Sequence, residues 1–595
     1  MANEFDAVII GSGFGGSVMA FRLAEAGLRV CVLERGKSYP PNSFPRAPYD
    51  LGQNFWDPSS GLYGMFDVWS FKNSGALVSS GLGGGSLIYA NIHIRKDAHW
   101  FKEDRPDGGY DPWPITYEDL EPHYEQVEKM MNVQQYPLNH PPYNNTPKTL
   151  ALREADRKLQ LNDKSTHQWI PLNLAVSFRT KKVSKPDDDD PNNPPIVGAP
   201  IQEDYPNYHT VNLQRDMPRS TCRLCGECDI GCNYGSKNTL DYTYITAAIH
   251  QRPYPAKVET LCEVKKIAPL AGAGYEVKFV RHTPDKIDPA TGKCEAPKED
   301  TITGDRLIIA AGTFGSPYLL LRNQEESFPL LTKKTLGSRF SVNGDLLSFI
   351  VDSKERRNGK TVPRRLDPSF GPVITSAIRI GDTLDGDGPQ GRGFYTEDGG
   401  NPYLMSWFSE ISGLPSFLHR SLKFLKMAAK YRLGLNNDAN LSAEISDLIG
   451  SASTSMSSFP VLTMGRDFAN GHLSLKDNLL ECDWSQKKSQ EYFDRVRRVG
   501  RAIAGALNAK YMDNPSYRYL HQVLTAHPLG GCPMGSSADD GVVNSYGEVF
   551  GYSGLYVVDG SVMPGPVGPN PSLTIAAISD RAAEHIIAQH KGAVR

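Results

Sequence analysis

The chain lacks several features that would place it quickly. It has no stretch of ~18 or more consecutive apolar residues, which argues against a membrane-spanning helix. Met1–Asp6 carry no charged start, apolar core and small-residue cleavage pattern, so no secretory leader is expected. Neither sign of charge dominates: 64 Lys and Arg against 67 Asp and Glu leave a formal net charge of −3. Nothing global therefore favours nucleic acid as a partner. Cysteine is sparse, at nine in 595 residues, which excludes a disulfide scaffold. A cytoplasmic protein is expected, and there clustered cysteines more often signal metal or redox chemistry. No internal repeat is found. What is present is an ordinary globular composition, 39% hydrophobic and 22% charged, spread over more chain than one core supports. Two or more domains are expected.

The apolar run at Ala7–Ile10 leads into glycines, then a helix-like "SVMAFRLAEAG", then a second apolar run "RVCVLE" ending at Glu34. This reads as a β-α-β unit. "RLIIAAGTFGSPYLLLRN" repeats the strand, turn and helix pattern, "GLYVVDGSVMPG" is another strand and turn, and "LTIAAISDRAAEHIIAQH" is a closing helix. These segments lie at the start, middle and end, so the nucleotide-type domain is expected to be discontinuous. "KKVSKPDDDDPNNPP" has no apolar periodicity and reads as a solvated loop.

Gly11-Ser12-Gly13-Phe14-Gly15-Gly16 fits G-x-G-x-x-G between a strand and a helix. Gly11 permits the tight turn, Gly13 leaves room for a pyrophosphate, and Gly16 lets helix and strand pack closely. The helix N-terminus then faces the phosphates with its positive end. Glu34, at the end of the second strand, can accept hydrogen bonds from ribose hydroxyls.

A second motif stands apart. Cys222, Cys225, Cys228 and Cys232 have the spacing C-x2-C-x2-C-x3-C, which suits iron–sulfur ligation. Three thiolates would hold a 3Fe–4S cluster and four a 4Fe–4S cluster. Asn233 follows the last cysteine, where ferredoxins commonly have proline, and no second run exists. Inert thiols in a glycine-rich turn are the alternative.

"SSGLGGGSLIYAN" (79–91), "AAGTFGSPYLLL" (310–321) and "HPLGGCPMG…GLYVVDGSVMPGPVGPNPSLTI" (527–575), in that order after the N-terminal turn, resemble the glucose-methanol-choline (GMC) oxidoreductases, in particular the bacterial cholesterol oxidase-like branch. The resemblance extends over nearly the whole chain. It implies an α/β fold: a glutathione-reductase-like FAD-binding domain with a Rossmann-type sheet, plus an α+β substrate-binding domain. The expected division is 1–100, 215–345 and 540–595 for FAD binding, and 101–214 and 346–539 for substrate binding. The cofactor implied is FAD. Besides Gly11, Gly13, Gly16 and Glu34, the matching positions are Gly84, Gly85, Ser86, Asn91, Val264, Asp559 and Gly560. Ala90 occupies the position where some members attach FAD through a histidine, which excludes that linkage.

The implied reaction is oxidation of an alcohol CH–OH by hydride transfer to flavin N5, with a base for the hydroxyl proton. Histidine suits that role. His527 matches the family's catalytic histidine, and His521 reads as structural. Asn570 stands where many members have a second histidine. It can orient the alcohol oxygen but cannot act as a base. "FYTEDGGNPYL" resembles the substrate-domain strand that places a glutamate near the site, which points to Glu397. The expected substrate is an apolar alcohol, sterol-like or cyclic, with O2 or an external electron carrier as acceptor. A cluster would export electrons one at a time. The alternatives are a long-chain or fatty alcohol oxidase using O2 with inert cysteines, and an inactive flavin-binding electron-transfer protein. Residues 412–435 show apolar and basic faces at helical spacing, which would suit peripheral contact with anionic lipid or packing as a surface helix.

Overall fold

In the computed structural model, residues 3–594 are described except 41, 105–108, 161–166, 202–218, 285–293, 387–390, 403–424 and 427–452. Two sheets organise the mixed α/β fold. The first has seven strands. Six follow the order Lys257–Glu259, Val30–Leu33, Phe5–Ile10, Lys298–Ile309, Tyr275–Arg281, Cys262–Pro269. Leu555–Val557 pairs with the end of Lys298–Ile309 at Leu307–Ile309.

Its parallel part is built from short, unbroken apolar runs. Ala7–Ile10, Val30–Leu33, Leu307–Ile309 and Leu555–Val557 are all buried. Strands covered on both faces require this composition. The remaining strands form an antiparallel meander, in which Tyr275, Val277 and Phe279 are buried at alternate positions. The helix Phe14–Glu25 packs on the closing helix Ser572–Val594, which also contacts Tyr117–Met130. Ser579 Oγ donates to Gly15 O at 2.7 Å, which ties the closing helix to the first turn.

The second sheet is antiparallel, in the order His167–Pro171, Ser376–Ile380, Phe394–Asp398, Phe459–Gly465, Leu346–Val351, Lys510–Asp513. The strand Leu346–Val351 shows why it has two different faces. Leu346, Ser348 and Ile350 are buried, and the helix Gln490–Ala506 packs against this strand. Leu347, Phe349 and Val351 alternate with them and line a cavity. That helix buries Tyr492, Phe493, Val496, Gly500, Ile503 and Ala504, a helical stripe.

Among the described residues no helix is long and apolar enough to cross a membrane. The amphipathic segment 412–435 lies outside the described residues apart from 425 and 426.

Candidate active site

One cavity of about 1500 Å³ lies between the two sheets. Small-molecule sites commonly occupy ~300–1,000 Å³, so this one has room for a long cofactor and a second molecule. One part of its wall is the glycine turn and its neighbours: Gly11, Gly13, Glu34, Gly84, Gly85 and Val264. Another part carries His527, Asn570, Asp559 and Gly560, with Leu347, Phe349, Leu462 and Pro460 from the second sheet.

The first turn is built on close backbone approach. Gly11 has φ 94°, and a Cβ there would fall 2.3 Å from Ala310 O. A Cβ on Gly16 would fall 2.0 Å from Gly11 O. Gly13 differs: a Cβ there would meet no protein atom within 4 Å. It borders the open cavity, as a phosphate-facing position must. Glu34 is buried. Its Oε2 accepts from Ser12 N at 3.0 Å and Ser12 Oγ at 2.6 Å, and its Oε1 from Gly36 N at 2.8 Å. Ser12 Oγ in turn accepts from Gly83 N at 3.0 Å, which joins the first turn to the loop 79–91.

Other expected cofactor residues have different surroundings. Ser86 is fully buried and serves the loop itself, donating to Gly83 O at 2.7 Å and accepting from Leu240 N at 3.0 Å. Asp559 lines the cavity, but Ser561 N donates to its Oδ1 at 2.8 Å, and Gly312 N (2.9 Å) and Ser316 Oγ donate to its Oδ2. Its carboxylate thus holds the Gly312–Ser316 turn against the C-terminal motif. Asn91 is fully buried with φ 70°, and neither end of its amide has a hydrogen-bond partner. Unpaired buried amides are costly, and this one lies beside Ala90 and Ile92, which line the cavity. The open space at Gly13, the unpartnered Asn91 amide and the cavity size fit FAD.

His527 follows the strand Val523–Thr525, which pairs with Ser74–Ser79. Its Nδ1 lies 3.0 Å from both carboxylate oxygens of Asp345. Asp345 is fully buried, and its Oδ2 also accepts from Thr525 Oγ at 2.8 Å and Ala526 N at 2.9 Å. Asp345 went unread in the sequence: it is a lone acid 182 residues from His527. The turn that carries it is bound to the histidine motif by reciprocal backbone hydrogen bonds, Ser341 N to Leu529 O at 2.9 Å and Leu529 N to Ser341 O at 3.0 Å. His521 ends the helix Pro515–Leu520 in the left-handed conformation and does not line the cavity.

Glu397 pairs with Leu462 and Ala377, and Leu462 pairs with Leu347. Leu347 and Leu462 line the cavity, so the glutamate belongs to the same face of the sheet. It is nevertheless fully buried, and neither carboxylate oxygen has a hydrogen-bond partner. Burial drives its pKa well above the carboxylate range, and the neighbouring Asn570 amide opposes this.

The cysteine run forms a partly buried loop beside the cofactor loop. Cys222, Cys225, Cys228 and Cys232 are all described, yet among the described residues no group of three or more His, Cys, Asp or Glu is placed to hold a metal. The four thiols are nevertheless neighbours: burial, then Cys228, Cys225 and Cys232, raise the Cys222 thiol well above its ordinary value. Left-handed turns at Leu224, Gly226 and Gly231 redirect the chain between the thiols. Cys222 joins a hydrophobic cluster with Tyr136 and Tyr143, while Cys225 bridges to Gly371. Burial pushes the Cys225 thiol up to about 12. Other contacts pin the loop. Arg46 reaches Glu227 (2.8 Å), Ile230 O (3.1 Å) and Gly231 O (2.6 Å). Lys237 Nζ donates to Cys228 O at 2.8 Å and to Leu87 O and Tyr89 O, each at 3.0 Å. Lys237 thus staples the run to the cofactor loop. Burial lowers its pKa to about 8.

Two family models match the chain: NAD(P)-binding Rossmann-like domain over residues 9–66 and GMC oxidoreductase over residues 473–579. The chain is 28% identical to a cholesterol oxidase of Mycobacterium tuberculosis, over 98% of this chain and 91% of that protein. It is 27% identical to a cholesterol oxidase of Acinetobacter baumannii, over 99% and 95%. The solved structure of pyridoxine 4-oxidase from Mesorbium loti shares the fold, with a TM-score of 0.52 and 14% identity over 98% of each chain. The matched segments at both ends of the chain line the same cavity, and the chain is similar to the GMC oxidoreductases over nearly its whole length.

Proposed function

We propose that this FAD-dependent alcohol oxidoreductase oxidises a bulky apolar secondary alcohol, sterol-like or cyclic, to the carbonyl. The observation that supports this most directly is His527, anchored on Asp345, at a cavity shared by the dinucleotide turn and by the aliphatic face of the second sheet. Gly11, Gly13, Glu34, Gly84, Gly85, Asn91, Val264 and Gly560 would hold the cofactor. When bound, FAD supplies the acceptor for the hydride from the carbinol carbon. His527 takes the hydroxyl proton at Nε2. Asn570, whose Oδ1 has no partner in the protein, orients the alcohol oxygen. Leu347, Phe349 and Leu462 bury the hydrocarbon body and exclude water from the reacting end. The electron acceptor is O2 or an external carrier.

The test is anaerobic addition of a sterol, cyclohexanol and a long-chain 1-alkanol to the holoprotein, following loss of the oxidised flavin spectrum. The ring alcohols should reduce the flavin fastest, and His527→Gln should slow that reduction by about 10²- to 10⁴-fold, the usual contribution of a positioned base. Fastest reduction by the 1-alkanol would shift the substrate class, and unchanged reduction in His527→Gln would remove the histidine from its role. Peroxide formation on re-admitting air distinguishes O2 from a carrier.

A further inference from the structure

We infer that Asp345 is a positioning residue that fixes the ring tautomer of His527, an inference that rests on the base role proposed for that histidine. A carboxylate accepts hydrogen bonds and has no proton to donate, so the hydrogen on the 3.0 Å contacts sits on Nδ1. A neutral imidazole protonated at Nδ1 keeps its lone pair on Nε2. The alcohol O–H proton transfers to Nε2, and FAD, when bound, would accept the C–H electron pair as hydride. The ring becomes an imidazolium, and the buried carboxylate 3.0 Å away stabilises that charge in a site of low dielectric.

The surroundings keep Asp345 in place. Thr525 Oγ and Ala526 N both donate to Oδ2, at 2.8 and 2.9 Å, and the His527 N–H donates to Thr525 Oγ at 2.8 Å. The carboxylate and the histidine backbone therefore share one threonine. These contacts also predict what amidation would do. In Asp345→Asn the two donors at Oδ2 select the amide oxygen for that position. The amide NH2 then takes the Oδ1 position and points at Nδ1. An N–H donor there requires Nδ1 to accept, so the proton moves to Nε2, where it blocks the base. The side-chain volume and the anchoring bonds are retained.

Three measurements on the holoprotein test this. With [15N]histidine labelling, at a pH where the imidazole is neutral, the His527 resonance identified with His527→Gln should report the Nδ1–H form in the native protein and the Nε2–H form in Asp345→Asn. Flavin reduction by the best alcohol should fall about 10²- to 10⁴-fold in Asp345→Asn, with the substrate dissociation constant and FAD content unchanged. Asp345→Asn combined with His527→Gln should be no slower than His527→Gln alone, because both act through one group. An unaltered tautomer in Asp345→Asn would overturn the inference, and so would full additivity in the double variant, which marks a general structural effect. If no alcohol reduces the native flavin, the functional reading fails, and the tautomer measurement still decides the role of Asp345.

Discussion

Asn343 and Gly568 are locked together. The Gly568 N–H donates to Asn343 Oδ1 at 3.0 Å, and the Asn343 amide donates to Pro569 O at 3.2 Å and Gly568 O at 3.5 Å. Two residues later the same turn supplies Asp345 to His527, and two residues after Gly568 comes Asn570. One buried turn therefore sets the spacing of the two polar groups at the reacting end. Asn343→Ala should cost about 1–3 kcal/mol through the buried partners left unpaired. Strain at φ 52° adds to this. Flavin reduction should slow more than FAD binding weakens. Asn343→Gly tolerates the backbone conformation and isolates the hydrogen-bond part. Thermal melts and stopped-flow reduction measure both, and equal melting of Asn343→Ala and the native protein would contradict the assignment.

A side chain at Gly13 tests the cofactor site apart from the fold. No protein atom lies within 4 Å of a Cβ there, so Gly13→Val should melt like the native apoprotein. It should retain at least tenfold less FAD, equivalent to about 1.4 kcal/mol or more of lost binding. Flavin retained at the native ratio would move the phosphates elsewhere in the cavity.

Glu397 makes stability depend on pH in a defined direction. Its ordinary pKa is 4.5, and burial raises it well above that in the folded protein. Between those two values the folded state binds a proton that the unfolded state has lost. The native protein therefore loses stability as pH rises through this window, by up to about 1.4 kcal/mol per pH unit. Glu397→Gln removes this term, so its advantage over the native protein should be small near about pH 5 and larger near about pH 8. A stability difference between the two proteins that is independent of pH would mean that Glu397 is ionised in the folded state.

The cysteine loop should depend on its cationic ties more than on its thiols. Cys225→Ser should keep FAD and a background iron content equal to that of the native protein. Arg46→Ala, which releases the contacts to Glu227, Ile230 and Gly231, should lower stability by about 2–3 kcal/mol, since hydrogen bonds to a charged group are among the stronger ones. Stoichiometric iron and sulfide in anaerobically purified native protein, lost in Cys225→Ser, would reverse this.

The glycine turn and Glu34 were legible in the sequence because their constraint is local: a strand, a turn and a helix within thirty-odd residues leave a spacing that can be read. His527 was legible through its motif. Asp345 was not, because a buried acid that serves a histidine 182 residues away leaves no periodicity. The cysteine run was legible in part. Its spacing says that the thiols are near one another, but not the positive φ at Leu224, Gly226 and Gly231 or the tertiary ties from Arg46 and Lys237 that shape the loop. Glu397 was placed through the family resemblance. Its complete burial depends on Asn570 and the second sheet, which sequence spacing does not encode.

The strand Leu555–Val557 docks beside Leu307–Ile309, and the helix that follows fastens to the very first turn through Ser579 and Gly15. A ribosome delivers these pieces long after the first turn. Until they emerge, the nascent N-terminal half has an unfinished sheet edge and lacks one wall of its cofactor chamber. A closed cofactor chamber therefore needs the N-terminal turn and these distant later segments together.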